Sequence, residues 1–539
     1  MRAQSRSEAG GRRSRRAARR VTAAAVTAIA IAVLAACSSS PGSSTSHSST
    51  SQQAKASGNV GDTLTLSQAA APLTLDPAKT TQNNEYFEAL AYEPLIDRAS
   101  DGSLLPGLAT SWSYLGGNNT VFQLKLRSGV KFSDGSPLTA QSVVADFKYV
   151  VKSAGQFAPY FTGDTFTATG PLTVQITSPK PDPDLPGLLT QDDVAGDMIS
   201  GAALAHPAKL GTQTFGAGPY MLDSAQSVTG SAYTYVPNPN YYDKSAVHWK
   251  KVVVKVIADP QSVLNAMKTG EVNFSQGDPS TLAAAKQAGL TVTMAPLLWV
   301  GVTLADRGGA MSKPLGSLLV RQALNDATDR AAIATALFPG NGNPTNQVTV
   351  PGGYGYEASL NSTYPYDVAK ARQLLAQAGY PHGFTLKLVT TDSGGQSLVA
   401  QALAQQWKQI GVTLQITDYA NSNTFYSAAF APKFPAFMTV YGQQPIWIEG
   451  PGLFLPSALF NPFHTTDATL QSLYDQEARA SGAQQVALDQ QVEAYMVKQA
   501  WFVPVLTQGL PFYATSNITG TSVSAQAPLA ELYQIKPAG

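Results

Sequence analysis

The sequence predicts an α/β protein whose mature part contains more than one lobe. The clearest sign is a strand–helix–strand unit in the C-terminal half. Apolar residues alternate in 384–388 and again in 412–416, as they do in strands, and 397–410 between them carries apolar residues at helical spacing. A helix that connects two strands in this way favours a parallel pair. The chain from Gly61 onward is also about 480 residues long, more than one core usually organises.

Other segments extend this pattern along the chain. Residues 120–127 alternate as a half-buried strand does, and Thr139 follows as the predicted N-cap of a helix. Residues 251–257 form a β-branched run that is typical of a buried strand. Residues 262–268 and 367–380 have the spacing of amphipathic helices. Strands and helices therefore alternate through the mature part, as the α/β class requires.

The first residues have the features of an export signal. Eight arginines and one acid precede residue 21, and residues 21–36 form an uncharged run that is shorter than a membrane span. The run ends in Leu-Ala-Ala-Cys, and Cys37 is the only cysteine of the chain. This motif resembles the bacterial lipobox, which implies a signal peptide over 1–36 and lipidation of Cys37. The alternative is an uncleaved signal anchor with an incidental cysteine, and general or twin-arginine export are both compatible with the arginines.

Residues 37–60 are predicted to form a flexible linker. Nine serines lie between positions 38 and 51, and the stretch contains no aromatic residue. Such a segment buries too little apolar surface to offset the entropy lost on ordering. Next to the lipobox, it is interpreted as a tether between a lipid anchor and the folded part.

Composition argues against several functional classes. The net charge is +1, and the first 36 residues contribute +7, so the remainder carries −6. A mildly acidic body with 13% charged residues lacks the basic footprint of a nucleic-acid-binding protein. The five histidines are scattered, and no two of them have the spacing of zinc ligands. We therefore predict no metal site and no cofactor.

Residues 105–147 contain a longer motif whose parts follow one another in a fixed order. Pro106–Trp112 corresponds to P-x-LA-x-SW, and Val121–Ala140 corresponds to T-F-x-L-R-x-G-V-K-F-x-DG-x-P-L-TA. The motif resembles the signature of the extracellular solute-binding family 5, which includes oligopeptide-, dipeptide-, nickel- and some oligosaccharide-binding proteins. Further blocks agree in order along nearly the whole mature chain: 215–220, 238–242, 257–272, 320–325 and 364–380.

The resemblance implies the type II fold of periplasmic binding proteins, with two lobes and an extra domain. The solute-binding domain would span 61–539. One lobe would take about 61–97, 207–303 and 498–539, the extra domain about 98–206, and the second lobe about 304–497. Members of the family close by a hinge motion around a solute held between the lobes.

The resemblance also implies a function in transport. The protein would be the substrate-binding lipoprotein of an ABC importer, held as a monomer on the extracytoplasmic face of the cell membrane. It would capture a peptide or a related small solute and deliver it to permease subunits that are driven by separate ATPases. The main alternative is an oligosaccharide or another non-peptide solute on the same scaffold.

One departure from the family pattern concerns the ligand. In peptide-binding members an aspartate within G-x-x-x-D-x-P-D-P commonly pairs with the amino terminus of the peptide. The corresponding stretch here is 438–454, in which Gln443, Gln444 and Pro445 stand where the aspartate would fall. Because a carboxylate–ammonium contact is a strong hydrogen bond, its loss makes a peptide ligand less certain. Glu449 is the candidate substitute.

Several uncharged residues are also candidate ligand contacts. Aromatic rings and amides suit a neutral polar solute or a peptide held by its backbone, and aromatic residues at these positions are as often buried in a core. The candidates in this stretch are Tyr441, Gln443, Gln444 and Trp447. Trp299 is a further candidate because it precedes a predicted lobe crossing. Asn83 and Asn84 are candidates because they follow the first strand.

The sequence also bears on two other functional classes. An enzyme is disfavoured, because the sequence has no G-x-S-x-G elbow, its histidines are isolated and no second cysteine is present. A surface signalling protein that kept the scaffold without a transporter is compatible with the missing aspartate. A cleft that closes around a solute would argue against the signalling hypothesis.

Overall fold

The computed structural model describes residues 63–80, 85–193, 195–391 and 393–538. The strands of these residues are β1 (Thr63–Gln68), β2 (Ile96–Arg98), β3 (Leu104–Pro106), β4 (Ala109–Tyr114), β5 (Val121–Leu126), β6 (Thr165–Gly170), β7 (Thr173–Thr177), β8 (Tyr220–Leu222), β9 (Ala232–Pro237), β10 (Lys251–Val256), β11 (Phe274–Gln276), β12 (Thr291–Leu304), β13 (Asn343–Pro344), β14 (Thr385–Thr391), β15 (Thr413–Tyr419), β16 (Ala436–Gly442), β17 (Phe502–Ala514), β18 (Ile518–Thr519) and β19 (Lys536–Pro537). The α-helices are α1 (Glu85–Glu88), α2 (Ala140–Ser153), α3 (Leu185–Leu188), α4 (Pro260–Lys268), α5 (Leu282–Gln287), α6 (Leu318–Asp326), α7 (Arg330–Leu337), α8 (Val368–Gln377), α9 (Gln396–Lys408), α10 (Ser422–Ala429), α11 (Ile446–Glu449), α12 (Ala468–Glu477) and α13 (Ala483–Gln499).

One large mixed sheet runs through most of the described chain. Its strand order is β15-β14-β16-β12-β17-β11-β1-β10-β9-β8, and β13 pairs with β17 beside this path. Strand β1 is parallel to both β10 and β11, whereas β12 and β17 form a long antiparallel pair. The register of that pair shifts between Pro296 and Leu298 and again between Val300 and Gly301.

Two separate apolar clusters cover the two ends of this sheet. One contains Leu64, Leu66 and Val252 from the β1 end, and the other contains Leu386, Leu388 and Trp407 from the β14 end. All six side chains are fully buried. Two cores on one sheet agree with the expectation that a chain of this length does not fold around a single core.

A second, four-stranded antiparallel sheet has the order β4-β5-β7-β6. Helix α2 packs on it, and the rings of Phe147 on the helix and Phe166 on β6 stack with centroids 4.9 Å apart. The predicted N-cap of this helix is confirmed. The Thr139 side chain accepts a hydrogen bond from the Ser142 backbone N–H at 3.1 Å, and the Ser142 hydroxyl accepts one from the Thr139 N–H at 2.9 Å.

The predicted strand–helix–strand unit is also confirmed. Strands β14 and β15 are parallel, with Leu386 opposite Leu414, and α9 connects them. Helix α4 starts at Pro260, two residues before the predicted start. The reason is local: Asp259 caps the helix by accepting from the Ser262 N–H, and proline suits the first helical position.

Within the described ranges, none of the helices combines the length and the apolar character that crossing a bilayer would require. The predicted signal peptide (1–36) and the predicted linker (37–60), which includes Cys37, lie outside the described residues, as do Asn83 and Asn84.

Candidate ligand-binding site

A cavity of about 620 Å³ opens at an edge of the large sheet. Gln68 and Gln276 are the last residues of β1 and β11, which are parallel neighbours, so their side chains reach the same edge. The carboxyl ends of parallel strands commonly form such ligand crevices. Its lining residues come from three parts of the chain. The first part contributes Gln68, Ala69, Ala70, Gln276, Leu297, Leu510, Ala525, Gln526, Pro528 and Leu529. The second contributes Arg98, Asp184, Gly187, Leu188, Asp192 and Asp193, and the third contributes Tyr354, Gly442, Gln443, Gln444, Pro445 and Ile448.

One side of the cavity, which we call the amide wall, consists of Gln443, Gln444 and Pro445 just after β16. The Gln443 side chain is buried, and its Oε1 accepts a hydrogen bond from the Val350 N–H at 3.1 Å. Its Nε2 donates to the Gln444 carbonyl at 3.0 Å, and its backbone N–H donates to the Leu297 carbonyl at 2.7 Å. The amide of Gln443 therefore holds the loop together, whereas Gln444 is half-buried in the wall.

Another part of the lining, which we call the acidic wall, consists of Arg98, Asp184, Asp192 and Asp193. Arg98 Nε lies 2.9 Å from Asp192 Oδ2, and Arg98 Nη1 donates to the Gly102 carbonyl at 3.3 Å. Gln191 fixes the backbone of Arg98 through two hydrogen bonds of 2.9 and 2.7 Å. Burial raises the pKa of Asp192 to about 7, and the positive charge of Arg98 opposes that rise. This wall thus holds a rigid, buried ion pair.

Asp184 precedes α3 and is only 7% exposed. Its Oδ1 accepts from Gln485 Nε2 at 3.2 Å, and the same amide nitrogen donates to Glu477 Oε1 at 3.0 Å. Asp184 Oδ2 has no hydrogen bond to any described residue. Burial, and then the nearby charges of Glu477 and Asp182, raise the pKa of Asp184 well above its usual range.

A second cavity of about 470 Å³ adjoins the first, and Leu188 and Ile448 line both. Trp447 lies in its wall and stacks on Tyr474 with centroids 4.9 Å apart and an interplanar angle of 14°. Lys180 Nζ lies 5.6 Å from the centre of the Trp447 ring. Trp447 therefore belongs to the second cavity, whereas Gln443 and Gln444 belong to the first.

Three predicted site residues line neither cavity. Trp299 is fully buried and packs edge-to-face on Phe502 with centroids 5.7 Å apart, which corrects the expectation that it faces the cleft. Tyr441 lies opposite Trp299 in the β-ladder and packs on Phe460. Glu449 is also fully buried, so in this structure it does not present a carboxylate to the cavity. Burial and the charges of Glu493 and Asp489 raise its pKa well above the usual range.

The acidic wall is not among the predicted sites. Its sequence signal is the clustering of acidic residues: Asp182, Asp184, Asp192 and Asp193 fall within twelve residues of a chain in which only 13% of residues are charged. Within the described residues, no three His, Cys, Asp or Glu side chains are grouped as a metal site would require.

The solved structure of the MppA periplasmic murein tripeptide binding protein, in its unliganded open form, matches this chain with a TM-score of 0.78. It is 20% identical, and the match covers 89% of this chain and 98% of that structure. The likeness confirms the predicted fold, a two-lobed type II periplasmic-binding-protein fold with an extra domain.

Two curated proteins are similar to this chain in sequence. The "Probable D,D-dipeptide-binding periplasmic protein DdpA" of Escherichia coli strain K12 is 26% identical over 473 residues, which are 81% of this chain and 89% of the relative. The "Glutathione-binding protein GsiB" of Shigella boydii is 30% identical over 358 residues, or 64% of this chain and 67% of the relative. The family description "Bacterial extracellular solute-binding proteins, family 5 Middle" matches residues 103–455. The chain therefore belongs to the bacterial extracellular solute-binding proteins of family 5.

Proposed function

We propose that this protein captures a peptide or a closely related zwitterionic solute in the 620 Å³ cavity and delivers it to the permease of an ABC importer. Family membership supports the transport role, and the names of DdpA and GsiB point to small peptides. The observation that carries the ligand class is the cavity wall, which contains both a guanidinium and carboxylates. Arg98 is already paired with Asp192, so the ammonium group of a zwitterion can match the excess carboxylate, whereas a neutral oligosaccharide leaves it unmatched.

The lobes would follow the boundaries predicted above. Residues 61–97, 207–303 and 498–539 would form one lobe, 304–497 the other, and 98–206 the extra domain. What supports this division is the cavity lining, to which each of the three parts contributes. A solute bound there would touch all of them, so selectivity would come from closure and from polar groups rather than from chemistry on the ligand.

The membrane anchor would be a diacylglyceryl group on Cys37, with residues 38–60 as the tether. Two acyl chains are sufficient for stable anchoring, and anchoring raises the local concentration near the permease. Labelled fatty acid should be incorporated into the natural protein and not into a Cys37→Ser variant. Incorporation into both proteins would contradict the assignment.

The test of ligand capture is native mass spectrometry of the secreted protein purified without added solute. We expect a bound mass that matches short peptides. A bound mass that matches a sugar would instead support the oligosaccharide-binding alternative. Turnover of an added peptide would support the hypothesis of an enzyme. Uptake of the identified solute by cells should stop when the protein is deleted; uninterrupted uptake would instead favour the signalling reading.

A further inference from the structure

The acidic wall carries more carboxylate than its own groups can neutralise. Among the described residues of the lining, Arg98 is the only cation and faces three aspartates, Asp184, Asp192 and Asp193. Arg98 is already paired with Asp192 at 2.9 Å. The amide wall contributes no charge. A ligand that enters this cavity therefore meets an excess of carboxylate on one side.

Hydrogen-bond donors are few around Asp184. Gln485 Nε2 supplies one donor group to both Asp184 and Glu477. In the cluster formed by Asp184, Glu477 and Asp489, three buried carboxylate oxygens have no hydrogen bond to a described residue: Asp184 Oδ2, Glu477 Oε2 and Asp489 Oδ1. Asp184 is 7% exposed, and it is the one of these three residues that lines the cavity.

The groups around Asp184 offer it no compensating positive charge nearby. Asp182, Glu477 and Asp489 all act on it as like charges, and Tyr354, which also lines the cavity, adds no positive charge. Arg98 is engaged by Asp192, and Lys180 acts on the neighbouring Asp182. The missing partner is therefore a cation with several N–H donors.

A bare metal ion does not fit this description. Within the described chain, no three carboxylates or other ligating side chains come together as a metal site needs. An ammonium group suits it better, because its three N–H donors can satisfy separate oxygens and its charge offsets one carboxylate.

We propose that Asp184, supported by Gln485 and Glu477, binds the ammonium group of the solute at the acidic wall. This inference rests on the proposed function and assigns the ligand a free amine, as at the amino terminus of a short peptide. The raised pKa of Asp184 adds a consequence. An arriving cation stabilises the carboxylate, so binding drives a proton from Asp184 into solvent, and affinity increases with pH.

The test uses the purified protein and two probes. One is a mixture of tripeptides of glycine, alanine, serine and leucine with free amino termini, and the other is the same mixture after N-acetylation. We expect the free mixture to raise the Tm by about 3 °C or more at saturation and the acetylated mixture to leave it unchanged. Asp184→Asn should weaken binding of the free mixture about tenfold or more, because a charge-assisted hydrogen bond is lost.

The matched control is Asp146→Asn. Asp146 is also a fully buried carboxyl with a strongly raised pKa, but it lies on α2 and lines no part of the cavity. It should bind the free mixture as the natural protein does. Should Asp184→Asn fail to fold, Glu477→Gln replaces it, with an expected loss of about threefold, as for one neutral hydrogen bond.

Proton release gives a second readout. Between pH 5 and 7 the peptide amine stays charged, so a rise in affinity of up to about tenfold per pH unit reports one proton lost from the protein. This slope should decrease in Asp184→Asn, and what remains is due to Asp192, whose pKa is about 7. An undiminished slope in the variant would assign the proton to another group and overturn the proposal.

The outcomes separate this inference from the proposed function. Equal Tm shifts with both mixtures would keep peptide capture and overturn the ammonium site. Undiminished binding by Asp184→Asn would do the same. No shift with either mixture would overturn both proposals together.

Discussion

The two walls of the cavity differ in how completely their polar groups are satisfied. In the amide wall the side-chain oxygen and nitrogen of Gln443 both form hydrogen bonds to backbone, so this amide needs no ligand to satisfy it. In the acidic wall Asp184 Oδ2 is buried without a described hydrogen-bond partner, and so is Glu477 Oε2 next to the wall. The amide wall therefore shapes the cavity, whereas the acidic wall keeps acceptor atoms that a ligand can bind. Buried acceptors without a partner destabilise a fold, so stability alone would not favour them.

The largest effect is expected where the acidic wall loses its cation. Arg98→Met leaves Asp192 buried without its counter-charge, and we expect the free energy of unfolding to fall by about 3 kcal/mol. Urea denaturation would measure it. The double variant Arg98→Met, Asp192→Asn should recover part of the lost free energy of unfolding, because it no longer buries an unpaired Asp192 carboxylate. Unchanged stability in the single variant would mean that the ion pair does not hold this wall.

The next effect concerns the amide wall. Gln443→Ala removes the acceptor of the Val350 N–H and the donor to the Gln444 carbonyl, so we expect a loss of about 2 kcal/mol. Gln444→Ala is the matched control on the adjacent, half-buried residue, with an expected change below about 0.5 kcal/mol. Similar losses from both variants in thermal unfolding would contradict the structural role of Gln443.

A smaller effect should appear in the pH dependence of stability. Burial raises the pKa of Glu477 to about 8 and that of Asp489 to about 7, so the folded protein holds protons that the unfolded chain releases at lower pH. Stability contributed by these groups is full below the unfolded pKa and is lost as the pH rises through the folded pKa. The Tm should therefore fall between about pH 5 and 8. Glu477→Gln should flatten this slope, and an unaltered slope would refute the assignment.

The smallest effect is expected at the second cavity. Lys180 is exposed and lies over the Trp447 ring, so Lys180→Met should cost about 0.5 kcal/mol. The control is Lys152→Met, which removes an exposed charge from the last turn of α2. A double-mutant cycle with Trp447→Leu isolates the pair. A coupling energy of zero would show that the contact does not contribute to stability.

Sequence patterns predicted the elements of the fold better than the site. The β14–α9–β15 unit and the Thr139 cap depend on residues within about one element of each other, so alternation and capping signals reveal them. The family resemblance directed attention to Gln443 and Gln444, and the structure places both in the cavity wall.

The acidic wall could not be predicted in the same way. Asp184 and Gln485 meet across 301 positions of sequence, and no local pattern encodes such a contact. Trp299 and Glu449 show the converse limit. An aromatic ring or a carboxylate near an expected cleft has the same sequence signature whether it faces solvent or the core, and both are fully buried.

The long pair β12 and β17 has a mechanical consequence. These strands connect the β14 end of the large sheet to the β1 end through continuous backbone hydrogen bonds. A change in the angle between the β14 end and the β1 end of the sheet would therefore twist β12 and β17. The twist would occur most easily at the register shifts near Pro296 and Gly301. A side chain at Gly301 would meet the Val503 carbonyl oxygen at 2.3 Å, so the two strands are in close contact there. The stiffness of this short stretch would set the energy scale for opening the cavity.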